Sequence, residues 1–435
     1  MYYDSVLGII GQTPIVEIKA FDVAPCRLFL KLESQNPGGS IKDRIGLSMI
    51  EAAERENRIK AGCTLIEATA GNTGLGLAVA AARKGYRLIL VIPDKMSQEK
   101  VMHLKALGAE IRMTRSDVEK GHPEYYQDYA ARLAREIPDS FYINQFSNPA
   151  NSLAHETGTG PELWAQMDHQ VDAISVGVGS SGTLAGLSAF FKRANPAVEF
   201  ILADPQGSIL ADYVNTGSHG HAGSWMVEGI GEDFVPEIAD FSMVTKGYYV
   251  TDKESFETVR LLLRREGILA GSSTGVLIHA AMQYARRQKR PKNIVTFACD
   301  SGNKYLSKMF NDYWMQDQGF LDGDRKTCIV DLVARKMVDH AVVSARRDDT
   351  LLKAYSLMRL YEISQLPVIE NGKVMGIIGE SDILWSVTDL GEHAFQHPVK
   401  EYMTEELLTL PPTAPIDDAR PIFKKGLVGR VMNLD

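Results

Sequence analysis

The sequence predicts an α/β protein with mostly parallel sheets, followed by a small C-terminal α+β module. Three observations carry this. From about residue 27 to 310, short apolar runs alternate with longer segments of helical period, as repeated βα units require. Three glycine-rich loops stand where such runs or segments give way to helices. After Trp314 the pattern changes to a polar stretch, then to a repeat of roughly 60 residues. At 435 residues the chain is too long for one ordinary domain. We divide it into residues 1–315, a linker at 316–328 and a module at 329–435.

Composition narrows the class. Hydrophobic residues at 45% and charged ones at 23% are ordinary for a soluble globular protein. The net charge of −8, with no long basic run, argues against nucleic acid or an anionic membrane as partner. No stretch approaches a membrane span, and the first residues lack the basic and apolar regions of a signal peptide. Cys26, Cys63, Cys299 and Cys328 are scattered without a CxxC pair. Reduced thiols in a cytoplasmic protein are expected, with no structural metal.

In order, residues 27–32 read as a strand and 36–41 as a glycine-rich loop. Lys42 then stands at the entrance to a helix over 45–53. Strands follow at 64–67, 87–92, 110–113, 173–176, 199–203 and 293–298. Helices are read at 72–83, through 101–104, and at 125–135, 183–193, 254–265 and 275–287. In such sheets, ligands sit at the carboxyl ends of the strands. The first repeat of the module opens at 333–338. It continues through a helix at 350–360, strands around 366–369 and 374–378 joined by Asn371-Gly372, and the segment 380–384. The second opens at 399–404, begins a helix at 414–419 and reaches Asp435 before a second strand pair, so it reads as an incomplete copy.

Lys42 is the first candidate for chemistry. A helix N-terminus disfavours a protonated amine, and a lysine of lowered pKa is a nucleophile or a base. A solvated surface lysine is the bland alternative. Gly177-Val178-Gly179-Ser180-Ser181-Gly182 follows a strand, opens a helix and matches GxGxxG, with Asp204 closing the next strand. That pattern suits a dinucleotide. Physically it offers only N–H groups to an anion, and pyridoxal phosphate satisfies it equally well. The loop from Glu67 to Gly74 offers threonine hydroxyls to a small carboxylate and Asn72 to an aromatic oxygen. Ser273, in Ala270-Gly271-Ser272-Ser273-Thr274-Gly275, can meet a ring nitrogen. Either loop could equally be a helix cap. A nicotinamide explains one loop. Pyridoxal phosphate explains all of them, with Lys42 as its amine.

At these residues the chain resembles the fold-type II, tryptophan synthase β-like, pyridoxal-phosphate enzymes of the cysteine synthase/cystathionine β-synthase family. The likeness runs from about Gly11 to Trp314, and the C-terminal repeat is similar to a CBS regulatory module. The resemblance implies that Lys42, in Asn36-Pro37-Gly38-Gly39-Ser40-Ile41-Lys42-Asp43-Arg44, holds the cofactor and moves protons. It places the cofactor phosphate on Gly179, Ser180, Ser181, Gly182 and Thr183, with Asn72 and Ser273 at the ring. A neutral hydroxyl at Ser273 fits β-elimination and replacement better than transamination. The substrate carboxylate falls to Thr69, Ala70, Gly71, Thr73 and Gln145. Segments 204–210 and 228–234 are similar to cystathionine β-synthases, whereas 145–151 is closer to cysteine synthases. Three positions depart from the family pattern: Ala70 for serine, Ser181 for glycine, and Glu232 where animal enzymes carry tyrosine.

The activity implied is condensation of L-serine with L-homocysteine to cystathionine. Cysteine synthesis from O-acetylserine and sulfide is the alternative, and a non-catalytic adenosyl-nucleotide sensor is an alternative of another class. The resemblance also implies a homodimer or higher homo-oligomer. Thr350 and Asp382 become candidates for an adenosyl ligand such as S-adenosylmethionine, with a helix cap as the plain reading of Asp382. No haem is expected, because no matching Cys/His arrangement is visible.

Overall fold

The computed structural model describes residues 2–69, 71–94, 96, 98–115, 117–118, 121–321, 343–411, 413–415, 417–418 and 431–432. The chain divides into two compact units, Met1–Leu321 and Asp322–Asp435. In the first, ten strands form two sheets. These are β1 (Ile15–Ile18), β2 (Arg27–Lys31), β3 (Thr64–Ala68), β4 (Arg87–Pro93), β5 (Glu110–Thr114), β6 (Ser140–Tyr142), β7 (Ala173–Val176), β8 (Glu199–Pro205), β9 (Val244–Val250) and β10 (Asn293–Phe297). The larger sheet has the order β1-β2-β10-β7-β8-β9 and is parallel except at β1. The smaller, β5-β4-β3-β6, is wholly parallel and inserted in sequence between β2 and β7. Every residue of β3 and β7 is buried. Their side chains are buried on both faces of the sheet, those of Glu67 and Ser175 included.

Three strands that the sequence reading passed over, β1, β6 and β9, are all sheet edges. β1 and β6 are short and only partly buried, and β9, seven residues long, is partly exposed along its length, so none carries an apolar run. β9 even includes Lys246 and Gly247. The helices Pro149–Ala154, Gly160–Gln166 and Leu210–Thr216 were also not read; each is two turns or shorter. One boundary matters for the site. The helix expected to begin at Gly275 begins at Ser272, which puts Ser273 in its first turn.

The two helices that bear on Lys42 and Asn72, Lys42–Arg55 and Asn72–Lys84, meet at glycines. A methyl on Gly76 would lie 2.5 Å from the Lys42 carbonyl oxygen, and one on Gly46 would lie 2.5 Å from the Gly76 carbonyl carbon. Backbone therefore packs on backbone, and this contact sets how far Lys42 stands from the Asn72 loop. A buried ion cluster pins the same helix to the larger sheet. Arg44 Nε bonds Glu33 at 2.7 Å, Arg44 Nη2 bonds Glu162 at 2.6 Å, and Lys31 lies 3.3 Å from Glu162. The Asp43 carboxylate accepts the Gly38 N–H, which folds the loop back on the helix start. Asp43 and Arg44 thus explain the letters that follow Lys42.

The second unit contains an antiparallel hairpin, β11 (Gln365–Glu370) with β12 (Lys373–Gly379). Its turn, Asn371-Gly372, has φ of 49° and 76°, the two positive values a two-residue hairpin turn needs. Helices Leu351–Tyr361 and Glu380–Leu390 pack on it around Leu351, Met358, Leu366, Val368 and Ile383. The short strands β13 (Leu408–Thr409) and β14 (Val431–Met432) pair in parallel. The repeat opening at 333–338, Cys328, linker residues 322–328 and most of 419–435 lie outside the described residues. Among the described residues no helix is long and apolar enough to cross a membrane.

Candidate active site

Loops after β3, β7 and β10 open on one cavity of about 750 Å³. The helices starting at Asn72, Gly182 and Ser272 point their N-termini to it, as does the helix starting at Lys42. Helix starts carry partial positive charge, an environment for phosphate and carboxylate. Lys42, Asn72, Ser273, Gln145 and Thr69 all line it, together with Gly71, Thr73 and residues 179–183. Every site residue that the sequence proposed in this unit is therefore brought to one place, except Ala70, which lies outside the described residues.

Lys42 Nζ stands 3.4 Å from Ser180 Oγ. Burial is the main force holding its amine below the usual lysine pKa, opposed by the nearby Cys299 and Glu232. Burial pushes the Cys299 thiol up to about 12, so it stays neutral beside the lysine. Burial also raises Glu232 to about 8; Asp233 and Asp204 add to this and Lys42 opposes it.

The Gly179 loop is shaped for an anion. A methyl at Gly179 would lie 2.7 Å from the Gly229 carbonyl oxygen, and one at Gly182 would lie 1.8 Å from Asn151 Oδ1. Ser181 takes φ +68°, the left-handed region, which explains why the family pattern has glycine there. Its hydroxyl is buried with no protein partner. Such an orphaned donor at a helix start fits a phosphate. Asn151 was missed by the sequence reading. Its Nδ2 donates to Ser180 Oγ at 3.0 Å and to the Gln145 carbonyl at 2.8 Å, tying the anion loop to the Gln145 loop. Its signal was local: Asn148 caps a helix with Pro149 at its first position, three residues ahead.

On the opposite side, Thr69 Oγ1 accepts the Gly71 N–H at 3.1 Å, and Thr73 donates to Gln145 Oε1 at 2.7 Å. Lys304 donates to Asn72 Oδ1 at 2.6 Å, and Asn72 Nδ2 donates to Asp300 at 2.8 Å. These partners fix which way the carboxamide points and leave Asn72 a second N–H for an aromatic oxygen. Asp300 also accepts from Tyr305 at 2.7 Å. Lys304, Asp300 and Tyr305 were not singled out from sequence. They follow β10 as isolated polar letters with no motif around them.

Asp204, the acidic residue that a dinucleotide site would use, is buried and accepts the Ala211 N–H at 2.8 Å. It serves the start of the Leu210–Thr216 helix, which removes the nicotinamide alternative's second anchor. In the second unit, Thr350 accepts the Lys353 N–H at 3.3 Å and Asp382 accepts the Gly379 N–H at 2.8 Å. Both side chains cap helices.

Glu67, in β3 just before the Thr69 loop, is fully buried, and burial raises it to about 8 from 4.5. Between those values the folded protein keeps a proton that the unfolded chain releases. Stability therefore falls as pH rises from about 4.5 to about 8, by an amount on the order of a few kcal/mol. Glu67→Gln should flatten that slope. Melting temperatures of both proteins from pH 5 to 9 check this, and parallel slopes would contradict it.

An amine at a helix start, a nest for phosphate and a carboxylate loop around one cavity define a fold-type II pyridoxal-phosphate enzyme. The comparisons agree. The pyridoxal-phosphate dependent enzyme family matches residues 6–300, and the CBS domain matches 333–389 and 399–432. Cystathionine beta-synthase of Dictyostelium discoideum is 40% identical over 88% of this chain and 78% of its own. That of Saccharomyces cerevisiae is 36% identical over 87% and 80%. That of Apis mellifera is 41% identical over 73% of this chain, which spans 63% of that relative's length. Among solved structures, the O-acetylserine dependent cystathionine beta-synthase of Helicobacter pylori matches with a TM-score of 0.65 at 33% identity, over 71% of this chain and 98% of its own. The chain belongs to the pyridoxal-phosphate dependent enzyme family, in the branch of the cystathionine β-synthases.

Proposed function

We propose that this enzyme condenses L-serine with L-homocysteine to cystathionine. The observation that carries the reading is the convergence of four helix starts and the Lys42 amine on one cavity. When bound, pyridoxal phosphate supplies an electron sink for charge developing at the amino acid's α-carbon. The chain's residues do the rest. Residues 179–183 hold the phosphate, and Lys42 anchors the cofactor. Asn72 would donate to the ring oxygen, and Ser273 would present a neutral hydroxyl to the ring nitrogen. Thr69, Ala70, Gly71, Thr73 and Gln145 seat the substrate carboxylate. Once released, the Lys42 amine takes the α-proton and later returns it. Burial lowers its pKa from the usual lysine value, which favours the basic form. Glu232 lines the same cavity, its carboxyl raised to about 8 mainly by burial.

The names of the relatives favour homocysteine as the thiol, and the likeness to the Helicobacter structure keeps O-acetylserine open as the first substrate. Side-by-side assays of serine with homocysteine and of O-acetylserine with sulfide decide it. Cystathionine formation from the first pair is expected to dominate. Turnover of the second pair alone would overturn the reading.

We further read the enzyme as a cytoplasmic homo-oligomer. Its CBS module is proposed to take an adenosyl ligand such as S-adenosylmethionine near Thr350 and Asp382. The two matched CBS segments support this, and the use of both side chains as helix caps weighs against it. Heat of binding in calorimetry is the expected result; none with any adenosine ligand would remove the proposal.

A further inference from the structure

The helix Pro149–Ala154 runs on into a single π turn, His155–Thr159. Such turns are rare and frequently mark functional sites. A methyl on Gly186 of the helix Gly182–Ala194 would lie 2.2 Å from the Ser152 carbonyl oxygen and 2.7 Å from His155 Cβ. The turn is therefore seated directly against the helix that the anion loop opens. Asn151 and His155 stand four residues apart, on one face. Both are fully buried. Asn151 braces Ser180 at one end of the loop, and His155 reaches Thr183 at the other, its Nε2 3.3 Å from Thr183 Oγ1. On the far side of the ring, His155 Nδ1 lies 2.9 Å from Thr159 Oγ1. Both ring nitrogens thus meet a hydroxyl of the protein.

We infer that His155 is a positioning residue for the cofactor phosphate: its Nε2–H donates to Thr183 and so leaves that hydroxyl's proton for a phosphate oxygen. This rests on the assignment of residues 179–183 to the phosphate. A neutral imidazole has one N–H and one acceptor nitrogen. With the proton on Nδ1, Thr183 would have to donate to Nε2 and would turn only lone pairs toward an anion. With the proton on Nε2, Nδ1 accepts from the Thr159 hydroxyl, and every hydrogen bond of the relay runs toward the phosphate. Bonds aligned in this way polarise one another, and they do so most where water is excluded. Burial, helped by the charges of Arg44 and Lys42, holds the imidazole well below its usual pKa, so the ring is neutral and keeps an acceptor for Thr159. The π turn is then the device that carries Thr159 and His155 as one unit behind the loop.

The test titrates the full-length enzyme, stripped of cofactor, with pyridoxal phosphate and with pyridoxal, which lacks the phosphate. In His155→Leu the dissociation constant for pyridoxal phosphate is expected to rise about 10-fold, with that for pyridoxal changing less than about threefold. His155→Gln, whose amide can still donate to Thr183, should recover most of the difference. In a Thr183→Val background the further loss from His155→Leu should shrink below about threefold, because the hydroxyl it orients is gone. The phosphorus NMR resonance of the bound cofactor should also move in His155→Leu. Thr159→Val keeps the imidazole and should weaken pyridoxal phosphate alone, by about threefold; it decides the matter if His155→Leu does not fold. If both ligands weaken together, or the losses at 155 and 183 add in full, His155 only packs the π turn and the inference falls. A Thr183→Val protein that binds pyridoxal phosphate as tightly as the wild type would instead sink the phosphate assignment, and the relay with it.

Discussion

Lys42→Ala is expected to purify without the cofactor's visible absorbance and to lose at least about 10²- to 10⁴-fold in β-replacement rate. Two roles end at once, the covalent anchor and the proton carrier. The fold should survive. Lys42 shapes the structure through its backbone at the helix start, and its amine approaches Ser180 Oγ at 3.4 Å. Removing a buried amine also removes a desolvation cost, so thermal stability of the cofactor-free protein should hold or rise. Lys42→Arg should fail as fully, since a guanidinium stays protonated and can neither anchor nor act as base. Circular dichroism, the visible spectrum and a cystathionine assay check all three statements. An active, coloured Lys42→Ala protein would refute the assignment.

Gly76→Ala is the second large effect, and it acts from outside the cavity. The added methyl would meet the Lys42 carbonyl oxygen at 2.5 Å and the Lys42 carbonyl carbon at 2.8 Å. Neither atom is the end of a flexible side chain, so the two helices must separate. Overpacking of this kind costs about 1–3 kcal/mol, against roughly 1 kcal/mol gained from alanine's helix propensity. Separation moves Lys42 relative to Asn72 and Ser180, and a misplacement near 1 Å costs about 100-fold in rate. The expected result is a protein that still folds, melts earlier and loses more activity than its stability alone explains. Full activity in a well-folded Gly76→Ala protein would show that this contact does not position Lys42.

What was legible in the sequence follows from what each residue does locally. Lys42, Asn72, Gly179 and Ser273 sit at loop-to-helix junctions, where glycine, serine and asparagine mark the backbone's needs. Such positions can be read without a partner in view. Gly46 and Gly76 were not read, because a glycine inside a helix gains its meaning only from the helix across from it. Asn151, Asp300 and Lys304 are the same kind of case. Asn151 acts partly through Ser180, 29 positions on, and Asn72 and Lys304 are 232 positions apart. The interior strands were legible as apolar runs, and the edges β1, β6 and β9 were not. The charges lining the cavity, Lys100, Glu228 and Lys308, looked like ordinary surface letters. Only the fold brings them to one place.

The central claim is that the cofactor is fixed to Lys42 inside this cavity. Borohydride reduction of the purified holoenzyme followed by peptide mass mapping tests it directly. The account predicts the pyridoxyl-phosphate mass increment on the peptide containing Lys42, and its absence from peptides containing Lys100, Lys304 or Lys308. An increment on any of those lysines, with Lys42 unmodified, would contradict it.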